Sequence, residues 1–572
     1  MLQLLMETSL HTLIKSWFGK HKHKVELSTP PDLKFGHLST NIAMILSKDL
    51  KKNPFQLAQE IVEELETTVD QNIIEKIEVI KPGFINFYFT TQFLISQSEK
   101  INYQLEFKNH LKTYGQSKTM VIDYSAPNIA KPFGIGHLRS TNIGQAIYNL
   151  YQILGWNCIG DNHLGDWGTQ FGKLIVAINK WSTKPIDSLS IDDLEKLYVK
   201  FHQQAETDPN LIDLARLTFK RLEDNDPEIK RLWQICVDIS LKEFDQIYQL
   251  LDVKIDYAYG ESFYQPHLEK VIKLFKEKKL AKSSKGALIV KVNPLPPAML
   301  VKSNGTTTYF TRDLATIKYR LDTWKPDLII YEVGSDQTLH FQQLFAACQK
   351  IGWLPKQGFA HVAHGLIRWP QGKFSTRKGD TIHLKDVIEQ AIKKATKIVE
   401  STKISKSLTT KEKKGMIIDV AIGAIKFADL FQHPTKDIIF DWDKIMGLTG
   451  DSGPYLQYTY ARCLSVLTKS NILETKNIAL SSITDPINHQ EYKLLNMFVQ
   501  FEPKILESAL TINPSILAQY LLKVAKEYNQ FYANLKIIGQ SQQTFRLFLT
   551  QTTASILEIG LKILGIKSVK KM

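Results

Sequence analysis

Glycine, histidine and basic side chains come together in the run TMVIDYSAPNIAKPFGIGHLRSTNIGQAIYNLY (119–151) in an order that suits phosphate chemistry. Gly134 and Gly136 allow a backbone to approach a ligand closely. A helix opening near His137 would present unpaired N–H groups and the positive end of its dipole, a ready site for an anion. Lys131, His137 and Arg139 add donors where a nucleotide triphosphate would lie. A second cluster, WPQGKFSTRKGDTIHL (369–384), packs Lys373, Ser375, Thr376, Arg377 and Lys378 between Gly372 and Gly379. Such a glycine-bounded basic loop can close over pyrophosphate and stabilise charge that grows in the transition state. Taken separately, an ordinary strand–loop–helix connection and a solvated basic turn would account for the two runs.

The elements that must position these residues follow from periodicity. Met120 to Tyr124 reads as a buried strand, and Pro127 and Pro132 keep the following loop out of helix. A long amphipathic helix is expected after it. Short β-branched runs (MVIDY, CIGD, LIIYEVG, FAHVAHGLI) alternate with helical stretches from about 116 to 390, the rhythm of a doubly wound parallel sheet. Residues 175–250 read as a helical, charge-rich insertion. Residues 1–115 read as a small α/β unit, with FGHLSTNIAMILSKDL as a helix and IEVIKPGFINFYF (77–89) as two strands around Pro82-Gly83. In the second of these strands Phe84, Phe87, Tyr88 and Phe89 are either sheet core or a stacking surface for bases. Residues 391–415 hold eight lysines and two glutamates and read as a solvated connector. A helical bundle is expected over 441–572, where Asn513 should cap a helix that starts at Pro514.

Length and charge set the limits. A chain of 572 residues divides into three or four domains, and 43% apolar content is ordinary for a globular protein. Its 72 basic and 58 acidic residues leave a net charge of +14, which favours a polyanionic partner. Cys158, Cys236, Cys348 and Cys463 stand far apart and form no C-x-x-C pair, so a zinc site is not expected. The N-terminal stretch does not read as a signal peptide, and no window reaches the roughly 18 apolar residues of a membrane span. A cytoplasmic chain with no membrane association is the expectation.

Considered together, the two phosphate-binding runs resemble the HIGH and KMSKS signatures of class I aminoacyl-tRNA synthetases. The surrounding runs GDNHLGDWGTQFG (160–172), GESFY (260–264), TTTYFTRDLA (306–315), SDQTLHFQQ (335–343) and SGPYLQYTYAR (452–462) resemble the arginyl-tRNA synthetases in particular, from the first domain to the closing ILGIKSVKKM. That resemblance implies a Rossmann-like catalytic domain (116–390), connector and stem-contact helices (391–440), an N-terminal domain (1–115) on the tRNA elbow and a helical anticodon-binding domain (441–572). It implies that ATP activates L-arginine, which then passes to tRNA(Arg), usually with tRNA needed for the first step. Magnesium would accompany the ATP, with no protein-bound zinc, and the family is mostly monomeric. The implied ATP contacts are Pro127, Asn128, Gly134, Gly136, His137 and Ser375, with His137, Lys131, Lys373, Arg377 and Lys378 in catalysis. The implied arginine contacts are Asn162, Glu261, Tyr309, Asp313 and Gln337. Two carboxylates among them suit a planar, permanently charged guanidinium. The implied tRNA contacts are Asn86, Phe89, Tyr455, Gln457 and Tyr460.

Two departures from the family pattern stand out. Gly134 occupies the place of the first HIGH histidine, and Thr376 replaces the second KMSKS lysine. Lys131, upstream of the loop, is the residue expected to supply the missing charge. Three rival readings compete. A dinucleotide-dependent oxidoreductase would use Gly134 and Gly136 with Asp161, but Arg139 stands where a third glycine is required. An inactive RNA-binding paralogue would explain the missing histidine. A different class I synthetase, such as the cysteinyl enzyme, lacks its zinc ligands here.

Overall fold

The computed structural model describes residues 25–30, 32–368, 383–470 and 486–572, and these fall into two compact units. One unit gathers the residues up to 104 with 475–501 and 530–552. Its sheet is antiparallel in the order β1-β3-β2, from β1 (Leu38–Thr40), β2 (Ile74–Ile80) and β3 (Phe84–Phe89). Gly83 takes φ +154° in the connecting turn, where a Cβ would lie 2.8 Å from the Pro54 carbonyl oxygen. The run FGHLSTNIAMILSKDL is not helical throughout, since Leu38–Thr40 is a strand and the helix is Ile42–Leu50. Pairing with β3 claims that backbone first: Ser39 Oγ donates to Asn86 Oδ1 at 2.6 Å, and Ile42 N–H donates to Thr40 Oγ1.

The second unit spans 105–474 with 502–529 and 553–572. All four apolar runs expected to be strands are present as β4 (Thr119–Asp123), β5 (Asn157–Asp161), β9 (Leu328–Gly334) and β10 (Phe359–His364). They form one parallel sheet in the order β10-β9-β4-β5. Met120, Val121 and Ile122 are fully buried, as a strand covered on both faces requires. The chain leaves β4 towards β5 and returns on the other side at β9. The strand order therefore reverses between β4 and β9, and a crevice opens at their carboxyl ends. Between β5 and β9 come the helices Ile191–Ala205, Asn210–Glu223 and Pro227–Leu251, then a small antiparallel sheet of β6 (Ala281–Ser284), β7 (Ala287–Val290) and β8 (Ala298–Val301).

Two readings change here. The helix Ile135–Ile153 is buried nearly all round rather than amphipathic, with Arg139, Asn142 and Gln145 bonded inside the unit. The lysine-rich run is largely helix, in Leu384–Ser401 and Thr410–Leu430, with Ala391, Ala395 and Val399 buried at helical spacing. Gly423 and Gly453 let that second helix cross Gly453–Lys469 closely, since a Cβ on Gly453 would meet the Gly423 carbonyl oxygen at 2.3 Å. Asn513 accepts from Ser515 N–H at 3.1 Å, ahead of the helix Ser515–Asn534.

Buried charge fixes the ends of the strands. Arg320, on the helix Tyr309–Trp324, is fully buried and donates to Asp123 Oδ2 at 2.6 Å and to Asp161 Oδ2 at 2.8 and 3.0 Å. It thereby ties the carboxyl ends of β4 and β5 to one helix. Burial pushes the Asp161 carboxyl above its ordinary range although Arg320 pulls it back. Removing one member of such a set strands the others without compensation. Arg320→Met is expected to cost about 3–5 kcal/mol, measured as a lower urea midpoint of the full chain; an unchanged midpoint would refute the assignment.

Candidate active site

The loop between β4 and the helix Ile135–Ile153 is held in unfavourable backbone geometry. Ser125, Ala126 and Ala130 take φ of 76°, 44° and 64°, values that non-glycine residues seldom adopt. A set of hydrogen bonds keeps them there. Ser125 N–H donates to Ser140 Oγ, and Ser125 Oγ meets Thr141 Oγ1 and the Tyr248 hydroxyl, both at 2.8 Å. Ala126 N–H donates to Asn162 Oδ1 at 2.9 Å, and Ala130 N–H to Ser240 Oγ at 2.8 Å. Pro127 is buried, whereas Asn128 is exposed and pairs through its backbone with Gly165.

Beyond the loop, Gly134 caps the helix without any side-chain bond, and a Cβ built on Gly136 would find nothing within 4 Å. Open space therefore lies beside Gly136, while the His137 N–H of that turn is already taken by the Gly134 carbonyl at 3.0 Å. His137 has a buried Nδ1 with no partner among the described residues, and burial, reinforced by His364 and Lys131, lowers its pKa to about 4. The imidazole is neutral and can donate one hydrogen bond without carrying charge. Lys131 is exposed, its ammonium 5.3 Å from the centre of the Tyr198 ring. Glu332, two residues before the end of β9, accepts from His364 Nδ1 at 2.9 Å. Arg139 does not reach ligand space. It is 1% exposed and spends its guanidinium on Asp429 Oδ1 and on the carbonyls of Lys436 and Pro434. Lys373, Ser375, Arg377 and Lys378 lie outside the described residues.

Two carboxylates come together nearby, Asp313 standing near enough to push up the pKa of Glu261. Glu261 begins a short helical turn that Asp166 holds by accepting from Ser262 N–H at 2.8 Å and Ser262 Oγ at 2.5 Å. The approach is so close that a Cβ on Gly260 would lie 2.3 Å from the Asp166 carboxyl carbon. Burial pushes the Glu261 carboxyl up to about 7, although Arg312 and His163 pull it back. Asp313 is half-buried, and its bond to His340 Nε2 at 2.5 Å holds its pKa below the ordinary range and raises that of His340. Tyr309, one turn before Asp313, is 61% exposed, and Gln337 is exposed on the turn after β9.

Several of the expected contacts are buried and bonded within the protein. Asn162 is 1% exposed, with Oδ1 bonded to Ala126 N–H and Nδ2 to the Tyr248 hydroxyl, so both polar ends are used within the protein. Asn86 and Phe89 are 2% and 4% exposed, Asn86 bonded to Ser39 and Phe89 stacked on His37, whereas Phe84 faces outward. Gln457 is fully buried and donates to the carbonyls of Asp419 and Lys567, and Tyr460 is 3% exposed. Tyr455 differs, for it lines a cavity of about 860 Å³ together with Tyr458, Arg462 and Asn529.

A parallel sheet with a crevice at its strand-order reversal and a helix N-terminus opening on it is the architecture of a class I synthetase fold. Residues 100–442 match the family described as class I tRNA synthetases (R), catalytic domain; 5–89 match the arginyl-tRNA synthetase N-terminal domain; and 456–572 match the DALR anticodon binding domain. The arginine–tRNA ligases of Fusobacterium nucleatum and Clostridioides difficile are 37% and 38% identical to the chain, over 97% of it and over 96% and 97% of their own lengths. The solved arginyl-tRNA synthetase of Plasmodium falciparum superposes with a TM-score of 0.84 at 26% identity, covering 100% of this chain and 99% of its own. That of Thermus thermophilus has the same fold, with a TM-score of 0.80 at 22% identity over 100% of both chains. The chain belongs to the arginyl-tRNA synthetase family.

Arg312, Asp166, His340, Glu332 and His364 stand at the site without having been singled out in the sequence. Two of them had a signal available, since Glu332 lies near the end of β9 and His364 closes β10, both recognised as strands, at the side where ligands gather. The bracing role of Asn162 is open to test. Asn162→Ala would orphan the Ala126 N–H and is expected to cost about 1–3 kcal/mol, read from urea unfolding. A variant as stable as the parent but with weakened ligand binding would return Asn162 to direct contact.

Proposed function

We propose that this chain joins L-arginine to tRNA(Arg) in two steps, with ATP as the source of energy. A carboxylate oxygen of arginine attacks the α-phosphorus of ATP, and pyrophosphate leaves. A ribose hydroxyl of the terminal adenosine of tRNA then attacks the carbonyl carbon of the arginyl-adenylate, and AMP leaves. Membership of the family supports this reaction, and the paired Glu261 and Asp313 are the observation that carries the choice of amino acid. Two carboxylates in a largely dry pocket match a guanidinium, which is always charged and hydrogen-bonds in a fixed fork.

The remaining roles follow from position. The helix N-terminus at Gly134 and Gly136 and the neutral His137 would receive ATP phosphates, with Mg²⁺ arriving on the nucleotide. Pro127 and Asn128 would flank the nucleotide, and Ser375, Lys373, Arg377 and Lys378 would close over pyrophosphate. Lys131 would supply the charge missing at Thr376. Tyr309 and Gln337 would complete the arginine pocket, and Asn162 would shape it through the loop. On the nucleic-acid side, the cavity beside Tyr455, Tyr458 and Arg462 offers aromatic faces and a cation for an anticodon base. Gln457 and Tyr460 support its wall, and the tRNA elbow would meet the sheet of Asn86 and Phe89, whose outward residue is Phe84. A monomer acting in the cytoplasm fits this reading.

ATP–pyrophosphate exchange across the twenty amino acids tests it. Exchange is expected with arginine alone and only when tRNA(Arg) is present; exchange with another amino acid, or with none, would contradict the assignment. In the same assay Lys131→Ala should lower the rate by on the order of 100-fold, the scale for losing one charge-stabilising donor, and an unchanged rate would remove Lys131 from the site.

The ionisation of Glu261 makes a further expectation. In the free site its pKa is about 7, and a bound guanidinium favours the charged form and so lowers it. Affinity for arginine should therefore be full above pH 7 and fall by up to about tenfold per unit below it, with uptake of arginine releasing a proton. Calorimetry in buffers of different ionisation enthalpy measures that proton, and pH-independent binding from 5.5 to 8 would rule the linkage out.

A further inference from the structure

The pocket proposed for a guanidinium already holds one. Arg312 precedes Asp313 on the helix Tyr309–Trp324, and its Nε lies 3.4 Å from Glu261 Oε2. Its guanidinium carbon stands 4.5 Å from the centre of the Tyr309 ring. Both charged side chains are 12% exposed. Yet neither Arg312 Nε nor Glu261 Oε2 has a hydrogen-bond partner among the described residues. The two charges sit near each other without the aligned, bidentate bonds that make an arginine–carboxylate pair strong. Asp313, by contrast, is firmly bonded to His340. Of the two carboxylates, Glu261 is therefore the one left with a loose and replaceable partner.

We propose that Arg312 is a resident stand-in for the substrate, neutralising Glu261 while the pocket is vacant and exchanged for the guanidinium of incoming arginine. The inference rests on reading Glu261 and Tyr309 as guanidinium contacts. A buried carboxylate left alone is costly, so a cation beside it steadies the vacant pocket. The loose geometry keeps that cation displaceable. An incoming arginine replaces charge with charge and adds the hydrogen bonds that Arg312 does not make. A neutral isostere such as citrulline displaces the cation and returns nothing to Glu261. A lysine returns the charge but not the planar fork. Arg312 is thus a specificity-determining residue that acts by exclusion, the repulsive half of recognition.

Binding of arginine and of citrulline to the full chain, followed by calorimetry at pH 8, tests the exchange. Arg312→Gln should raise the affinity for citrulline by about tenfold, since Glu261 is then free to take up a proton and hydrogen-bond a neutral urea group. Arg312→Met should do the same, which guards against a new bond from Gln to Glu261. Arg312→Lys, which keeps the cation, should leave citrulline as weak as on the parent chain. Citrulline affinity that is unchanged or lower in both Arg312→Gln and Arg312→Met, with arginine weakened in parallel, would mean a purely structural role and overturn the proposal. Glu261→Gln separates the two levels. Arginine binding that survives it sinks the pocket itself, whereas arginine binding lost in Glu261→Gln but citrulline never gained in Arg312→Gln sinks the exchange alone.

Discussion

Arg320 lies fully buried between Asp123 at the end of β4 and Asp161 at the end of β5, and the crevice is positioned from that contact. The residues next after those aspartates are Tyr124, which starts the strained loop, and Asn162, which braces it. The helix that carries Arg320 also carries Tyr309, Arg312 and Asp313 two to three turns earlier. One guanidinium in the core thus registers the proposed nucleotide wall against the proposed amino-acid pocket. Its value is in registration more than in stability, because buried ion pairs seldom outdo well-packed apolar groups. A second buried arginine, Arg139, fastens the helix behind the nucleotide wall to Asp429 and to the carbonyls of Pro434 and Lys436.

The site itself is built from groups kept uncharged or half-charged until a ligand arrives. Burial holds His137 neutral and brings Glu261 to the edge of ionisation. Asp313, half-buried, is held in its charged form by the bond from His340. Two carboxylates a few residues from the same helix and turn therefore behave differently for a physical reason that can be named. The loop residues at positive φ store strain of the kind that clusters where a backbone is shaped for a ligand.

Much of this was legible in the chain beforehand. The four parallel strands declared themselves as short apolar runs, and the glycine loop with its histidine marked the place where β4 gives way to a helix. What stayed hidden was the destination of each polar side chain. Arg139 and Asn162 have the chemistry of ligand contacts, and only the fold shows that their partners are Asp429 and the Ala126 N–H. Asn86 and Phe89 lie on a strand whose alternation was readable, but which face is covered depends on β1, a strand concealed in a helix-like run. Arg312 was passed over because it stands between two residues that fitted the pattern, and its contact with Glu261 joins segments some fifty positions apart in sequence.

The account stands on one placement, a substrate guanidinium at Glu261 and Asp313 with ATP against the helix N-terminus at Gly136. A crystal structure of the full chain with arginine and a non-hydrolysable ATP analogue measures it directly. We expect the guanidinium within hydrogen-bond distance of both carboxylates, Arg312 turned away from Glu261, and the nucleotide phosphates at the Gly134–His137 turn. Arginine bound elsewhere, or bound with Arg312 still against Glu261 and neither carboxylate in contact, would contradict it.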